Sequence, residues 1–210
     1  MAVLRLSTGE VIIGYSEINE LIVPAGMEVG RFAYPESLEA RVKAMAKPLT
    51  GEGAELVFGE LSSNVEGVVK GLDFNYSYRR AGVFVPPDEQ GKSSFSMAGD
   101  NNPEQVVCAE MTSSDLDNYK APHILRANNL HFAYAGSFVK GMQLEGDLQA
   151  MIYITAGEWQ RLDSSILTWV VFSIGEPVLG LSYFDAMPDE NGSHPTDVMA
   201  DHTIHESMNF

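Results

Sequence analysis

A short segment in the middle of the chain, residues 123–132, carries the side chains best suited to chemistry. It contains His123, Asn129 and His131. Imidazoles exchange protons near neutral pH, and an amide can orient a carbonyl group or stabilise a developing oxyanion. Positions 123 and 131 differ by an even number, so both side chains are expected on one side if they lie on strands. The pattern favours proton-transfer chemistry, although either histidine can equally be a satisfied core residue.

Strands are expected around and after this segment. Residues 106–184 contain apolar or alternating runs separated by glycines at short intervals. Short strands with glycine turns are typical of a sandwich or a barrel. The predicted strands are residues 130–140, 148–154, 170–173 and 178–184.

The first 84 residues differ in sequence pattern from this strand-rich zone, and we predict both strands and helices there. The predicted elements are a strand pair within Met1–Tyr15, a strand over Met27–Phe32, a helix from Ser37 to Pro48, and a second helix over 64–80 that ends at Gly82. Residues 86–105 are polar and rich in Pro, Ser and Gly, which predicts a long loop that is either solvated or a lid over a pocket. Residues 185–210 form an acidic tail, expected to be poorly ordered or docked along the barrel. The chain is interpreted as a single domain with an N-terminal part (1–105), a β-barrel core (106–184) and this tail.

The segment that runs from His123 through Gly136 to Val139 resembles the metal-binding strands of acireductone dioxygenases, a family of cupins. The family pattern is His-x-His, three residues, Glu-x-Arg and an apolar stretch that ends in Gly-x-Gly-x-Phe. Residues 129–168 match it without a gap, and residues 181–184 stand where the family has its closing strand. The resemblance implies a mainly β protein of the cupin type, a double-stranded β-helix or jelly-roll barrel, with two or three N-terminal helices.

The resemblance also allows the family's metal ligands to be compared position by position. His123 matches the first histidine, but Leu125 stands at the second, Asn129 at the glutamate and Thr168 at the late histidine. His131 stands where the family has its arginine. One imidazole, one amide and one hydroxyl cannot replace three imidazoles and a carboxylate. We therefore expect a degenerate metal site with no metal and no other cofactor.

A cupin barrel usually encloses a cavity that holds one small ligand. We expect His123 and His131 to act as acid and base there, and Asn129 and Thr168 to position the substrate. The predicted substrate-binding residues are Leu125, Met142, Met151 and Trp169. The leading hypothesis is a metal-independent enzyme of the lyase or isomerase type that acts in biosynthesis. Its proton-transfer reaction would be an isomerisation, a cyclisation, a dehydration or a decarboxylation.

Two other hypotheses remain open. The first is a dioxygenase whose metal site is rewired around His123 and His131, with a third ligand such as Glu145 or Glu158. The second is a non-catalytic binding or assembly module, since cupin barrels pair through edge strands and Glu10–Tyr15 is a candidate strand for a homodimer.

Composition limits the partners. The chain of 210 residues has 13 basic and 29 acidic residues, a formal net charge of −16. Such a surface repels phosphate backbones and anionic lipid, so a small-molecule substrate is expected rather than nucleic acid or a membrane. A single cysteine, Cys108, excludes an internal disulfide, and the sequence shows no secretion signal. Both features favour a cytoplasmic protein.

Overall fold

The computed structural model describes residues 2–33, 40–42, 44, 48–88, 91–172, 176–187 and 193–201. The strands of this part are β1 Val3–Leu6, β2 Val11–Ile13, β3 Met27–Arg31, β4 Tyr78–Val85, β5 Ser93–Gly99, β6 Val107–Met111, β7 His123–Leu125, β8 Asn129–Ala135, β9 Ser137–Gln143, β10 Gln149–Thr155, β11 Glu158–Leu162, β12 Leu167–Phe172, β13 Val178–Phe184 and β14 Ser193–Pro195. The α-helices are α1 Tyr15–Ile22, α2 Gly51–Leu56, α3 Ser62–Gly71 and α4 Ser113–Lys120, and a π-helical turn, Val57–Leu61, joins α2 to α3.

Two antiparallel sheets of seven strands each form the barrel. The first sheet has the order β14-β7-β12-β9-β10-β1-β2, and the second has the order β3-β11-β8-β13-β4-β5-β6. Both sheets include strands from before and after residue 106. Apolar side chains from the two inner faces pack together, among them Leu4, Met27, Phe138 and Ile152.

A further layer covers the outer face of each sheet. The π-helical turn and α3 lie against the second sheet, where Val57, Leu61 and Val65 pack with the strand residues Phe132 and Leu181. This helical layer explains why alternate residues of β8 and β13 are apolar on the side that faces away from the barrel.

The outer face of the first sheet is covered by the segment after β14. Trp169 is fully buried there in a cluster that Ala200 covers. The side chain of Gln149 holds this segment, because its amide donates to the Met199 carbonyl at 2.8 Å and its oxygen accepts from the Asp201 N–H at 2.6 Å. The described tail residues 193–201 are therefore docked along the barrel.

The predicted cupin-type architecture with N-terminal helices is confirmed, and so are the strands predicted around β3, β10 and β13. Residues 130–140 form parts of two strands, β8 and β9, because the chain turns at Gly136, whose φ is 68°. Two local predictions are wrong. Residues 78–85 form β4 rather than the end of a helix, because this segment pairs with β13 on one side and β5 on the other. Ser93–Gly99 forms β5 inside the predicted loop. The sheet pairing overrides the local propensity in both cases.

Two expectations fall partly outside what the structure describes or tests. Most of the predicted helix from Ser37 to Pro48 lies outside the described residues. The strand β2 is at an edge of its sheet, with Val11 and Ile13 exposed, and its role in a homodimer stays a prediction. None of the described helices has the length and apolar character needed to cross a bilayer.

We expect Gly141→Ala to destabilise the protein, because a Cβ at this position on β9 would overlap the ring of the fully buried Trp169. The free energy of unfolding should fall by about 1–3 kcal/mol, as for other overpacked cores. The matched control is Gly67→Ala in α3, where a Cβ would meet nothing within 4 Å. This substitution should stabilise the helix by about 0.5–1 kcal/mol. Chemical denaturation measures both, and equal effects of the two variants would contradict this packing.

Candidate active site

The two sheets enclose a cavity of about 390 Å³. One part of its wall is aromatic: Phe84 stacks on Phe172 with ring centroids 4.2 Å apart, and Tyr119 of α4 meets Phe172 edge-on at 5.7 Å. The other part is polar. The polar side chains that line the cavity are those of Arg80, Tyr119, His123, Asn129, His131, Lys140, Gln160 and Ser182. Among the residues that the structure describes, no aspartate or glutamate lines this cavity.

Four polar side chains form a row across the second sheet. Gln160 pairs with His131, His131 pairs with Ser182, and Ser182 pairs with Arg80, on the successive strands β11, β8, β13 and β4. All four line the cavity. We call this set the polar row. Antiparallel register fixes these residues side by side, so their side chains reach the same level of the barrel.

Lys140 lies on the opposite sheet, on β9 between β10 and β12. Only 4% of its surface is exposed, and it shares the inner side of β9 with Phe138. Within the described part of the chain it forms no hydrogen bond or salt bridge. Burial lowers the pKa of the Lys140 amine to about 7. The amine is therefore divided between its neutral and charged forms near neutral pH.

His131 is held in a neutral form. Its Nδ1 lies 2.8 Å from the Ser182 hydroxyl, and its ring packs over the backbone of Gly180, where a Cβ would overlap it. Burial lowers the pKa of His131 to about 3, with further lowering by the charges of Lys140 and Arg80. A neutral imidazole of this kind is a weak base, but it can donate a hydrogen bond to an oxygen that gains negative charge.

His123 has a defined tautomer. Its Nδ1 lies 3.0 Å from the Ala121 carbonyl oxygen, which can only accept, so Nδ1 carries the proton and Nε2 carries the lone pair. Burial lowers the pKa of His123, and the charge of Lys140 lowers it further. His123 is therefore suited to accept a proton through Nε2.

The structure brings four of the predicted site residues to one cavity: His123, Leu125, Asn129 and His131. Thr168 is fully buried on β12, opposite His123 in the register, but it does not line the cavity. Its hydroxyl oxygen has no hydrogen-bond partner within the described residues. The chemical roles of all five remain predictions.

The other three predicted residues lie elsewhere. Met142 is buried in the barrel core next to Thr168 and does not line the cavity. Met151 and Trp169 lie on the outer face of the first sheet, where both flank Gly141 in the register. This corrects their predicted contact with the substrate. Successive side chains of a strand point to opposite faces, and the apolar runs of β10 and β12 gave no indication of which residues face inward.

Sequence reasoning missed Lys140, Arg80, Gln160 and Ser182. For Lys140 a signal existed, because it follows Phe138 at a spacing of two within an otherwise apolar strand and must share its face. Arg80 was assigned to the end of a helix, so its orientation toward the barrel could not be inferred. Gln160 and Ser182 become recognisable only when the register with His131 is known.

The cavity does not offer the ligands that the acireductone dioxygenase pattern requires. The described residues include no cluster of three or more His, Cys, Asp or Glu side chains that could hold a metal ion. The two imidazoles of the cavity come from different sheets, and the cationic side chains of Lys140 and Arg80 face the same space. A divalent cation would be repelled there without a carboxylate to offset its charge. These residues therefore do not fit a divalent metal.

No protein-family model matches the sequence, and no curated protein matches it. The fold is similar to that of the acireductone dioxygenase from Bacillus anthracis, solved with a cadmium ion in its active centre. The match has a TM-score of 0.64 and 10% sequence identity, and it covers 93% of this chain and 98% of that chain. The fold is therefore similar to that of this acireductone dioxygenase, as the sequence predicted.

Oxalate decarboxylases, also cupins, are more distant matches. The enzyme from Lactobacillus farciminis, in a formate complex, has a TM-score of 0.36 and 11% identity over 68% of this chain and 34% of its own. An oxalate decarboxylase variant from Bacillus subtilis has a TM-score of 0.34 and 10% identity over 60% of this chain and 34% of its own. At 10% identity the match to the acireductone dioxygenase describes the fold and not the chemistry, and the two weaker matches carry no argument.

We expect Lys140 to make stability depend on pH. In the unfolded chain its amine has a pKa of about 10.4, whereas burial lowers the pKa in the folded protein to about 7. Between these values the unfolded chain binds one more proton than the folded protein, so stability rises with pH and the penalty is greatest below pH 7. Lys140→Met should therefore stabilise the protein more at pH 6 than at pH 10, by up to about 4 kcal/mol.

Urea denaturation of wild type and variant at the two pH values measures this difference, and other titrating groups cancel in the comparison. Lys120→Met, which removes an exposed lysine from α4, is the matched control and should show no such pH dependence. An equal effect of Lys140→Met at both pH values would contradict the burial of an unpaired amine.

Proposed function

We propose that this cavity is the active site of a metal-independent enzyme that transfers protons on a small anionic carbonyl compound, as a lyase or an isomerase does. The observation that carries the proposal is the charge of the lining. Lys140 and Arg80 face the cavity with two imidazoles, and no acidic side chain of the described residues lines it. Buried cations are costly unless paired. An anionic substrate would supply the missing negative charge.

The arrangement of hydrogen-bonding groups supports proton transfer. His123 presents a lone pair on Nε2 and would accept the proton from the substrate. The neutral imidazole of His131 and the amide of Asn129 would hold the substrate oxygen on which negative charge develops. Asn129 lies two residues before His131 on the inner face of β8, so both can reach one small ligand.

Arg80 would bind the anionic group of the substrate. Its guanidinium lies over the Phe184 ring, with Cζ 4.9 Å from the ring centroid, and forms no ion pair within the described residues. A guanidinium offers two parallel N–H donors to a carboxylate. The volume of about 390 Å³ lies at the lower end of the range for ligand-binding cavities and accommodates a small organic acid.

Proton transfer can be measured before the natural substrate is known. Pyruvate, acetoacetate and levulinate carry a carbonyl and a carboxylate at different separations, and deuterium uptake next to the carbonyl is followed by NMR in deuterated buffer. We expect the protein to accelerate uptake by at least one probe. His123→Ala should slow that exchange by about 100-fold or more, as for loss of a general base. Exchange no faster than in buffer for all three probes would contradict the proposal.

Two controls separate this function from alternatives. Arg161→Gln changes a residue on the outward side of β11 and should leave the exchange rate unchanged. Treatment with a chelator should also leave it unchanged. Near-stoichiometric iron, nickel or manganese in protein purified without added metal, with exchange lost on chelation, would favour a rewired dioxygenase-type site instead.

A further inference from the structure

The proposed proton transfer by histidines gives no role to the unpaired amine of Lys140. β9 is an interior strand of its sheet, bonded to β10 and β12 along its length, so Lys140 cannot be turned outward without loss of both pairings. Within the described residues, no carboxylate lines the cavity that it faces. A buried cation without a partner costs stability, and such groups are concentrated at functional sites.

A neutral amine in a cavity is a nucleophile toward carbonyl groups. Lysines that form imines are activated by an apolar environment or by a neighbouring cation, because both favour the neutral form. Lys140 has both kinds of neighbour: Phe138 and Val170 adjoin it in the cavity wall, and Arg80 faces the same space. The lowered pKa of Lys140, about 7, means that a large share of the amine is free at neutral pH.

We propose that Lys140 forms a covalent imine with the carbonyl carbon of a small oxo-carboxylate whose carboxylate is bound by Arg80. This inference rests on the proposed function and specifies its substrate class and intermediate. Arg80 belongs to the polar row on one sheet and Lys140 lies on the other, so a substrate that spans the cavity can reach both.

The reaction can be written with its atoms balanced. The neutral Lys140 amine attacks the carbonyl carbon to form a carbinolamine, which takes up one proton from solvent and loses one water to give a protonated imine. The imine nitrogen withdraws electrons from the adjacent C–H bond. His123 Nε2 takes that proton while the C–H electron pair forms an enamine. Return of the proton from His123 to carbon re-forms the protonated imine, and addition of one water then releases the carbonyl compound and the free amine, with one proton given back to solvent.

The role of Arg80 limits which bond is broken. A carboxylate held by a guanidinium is stabilised as an anion, so its loss as carbon dioxide is disfavoured. The bond that reacts is therefore the C–H bond next to the imine rather than the bond to the carboxylate. This favours enamine chemistry such as isomerisation or dehydration over decarboxylation.

Reductive trapping tests the imine directly. The protein is incubated with pyruvate, acetoacetate or levulinate in the presence of cyanoborohydride, and the adduct is located by mass spectrometry of peptides. We expect adduct on Lys140 with at least one probe, at a rate at least tenfold above that of exposed lysines such as Lys120 and Lys70. No adduct on Lys140 with all three probes, or equal labelling of the exposed lysines, would overturn the proposal.

Variants of Lys140 and Arg80 separate the effect of positive charge from that of a nucleophilic amine. Lys140→Arg keeps a positive charge but cannot form an imine, and it should abolish both the adduct and the deuterium exchange. Arg80→Gln should slow trapping of the carboxylate probes at least tenfold but leave trapping of acetone, which has no carboxylate, nearly unchanged. Lys120→Met and Arg161→Gln are the matched controls and should behave as wild type, and circular dichroism verifies that each variant is folded.

The two proposals fail in different ways. Deuterium exchange that depends on His123, persists in Lys140→Arg and yields no adduct would overturn the imine and leave proton transfer intact. Adduct on Lys140 without any accelerated exchange would overturn proton transfer as the function and retain only a reactive amine. Retained trapping of carboxylate probes in Arg80→Gln would overturn the carboxylate-binding role of Arg80.

Discussion

The burial of one lysine amine inside the barrel constrains the rest of the site. Lys140 belongs to an interior strand whose two neighbours fix its orientation, and it faces a cavity without a described acidic side chain. Desolvation disfavours the charged amine, and no ion pair with a described residue offsets that cost. Burial lowers the pKa values of His123 and His131, and the charge of the Lys140 amine lowers both further.

Each sheet contributes one imidazole and one cationic side chain to the site. Antiparallel register places the polar row at one level of the second sheet, and the absence of a side chain at Gly180 leaves room for the His131 ring. Lys140 faces the row from the first sheet. The protein surface is strongly acidic overall, with a formal net charge of −16, whereas the cavity is basic. This contrast makes the cavity the favoured place for a small anion to bind.

The sequence was informative where local patterns decide structure. Glycine-separated strands and the segment from His123 to Val139 predicted the cupin-type barrel, and residues 123, 125, 129 and 131 do line its cavity. The sequence was uninformative where the pairing of strands decides the structure. Met151 and Trp169 could not be assigned to the outer face, because continuous apolar runs hide the alternation of a strand. Arg80 was misplaced because β4 is a strand only through its pairing with β13 and β5.

The same limit applies to the chemistry. The comparison of ligand positions concerned only the donors of the family's metal site and gave no indication of Lys140, Arg80, Gln160 or Ser182. Lys140 and the polar row are defined by which side chains share an inner face and a register, and that information is not local in sequence. A lysine at an inward position of a central strand is the one sequence signal that could have been used.

The charge state of Lys140 can be observed directly in the resting protein. NMR of protein labelled at the lysine side-chain carbons, with Lys140→Met used to assign the resonance, gives the titration of this amine alone. A resonance for Lys140 that titrates near pH 7, well below those of the exposed lysines, is the result that the account predicts. A Lys140 amine that titrates with the exposed lysines near pH 10 would show that it is solvated or paired, and would contradict the account.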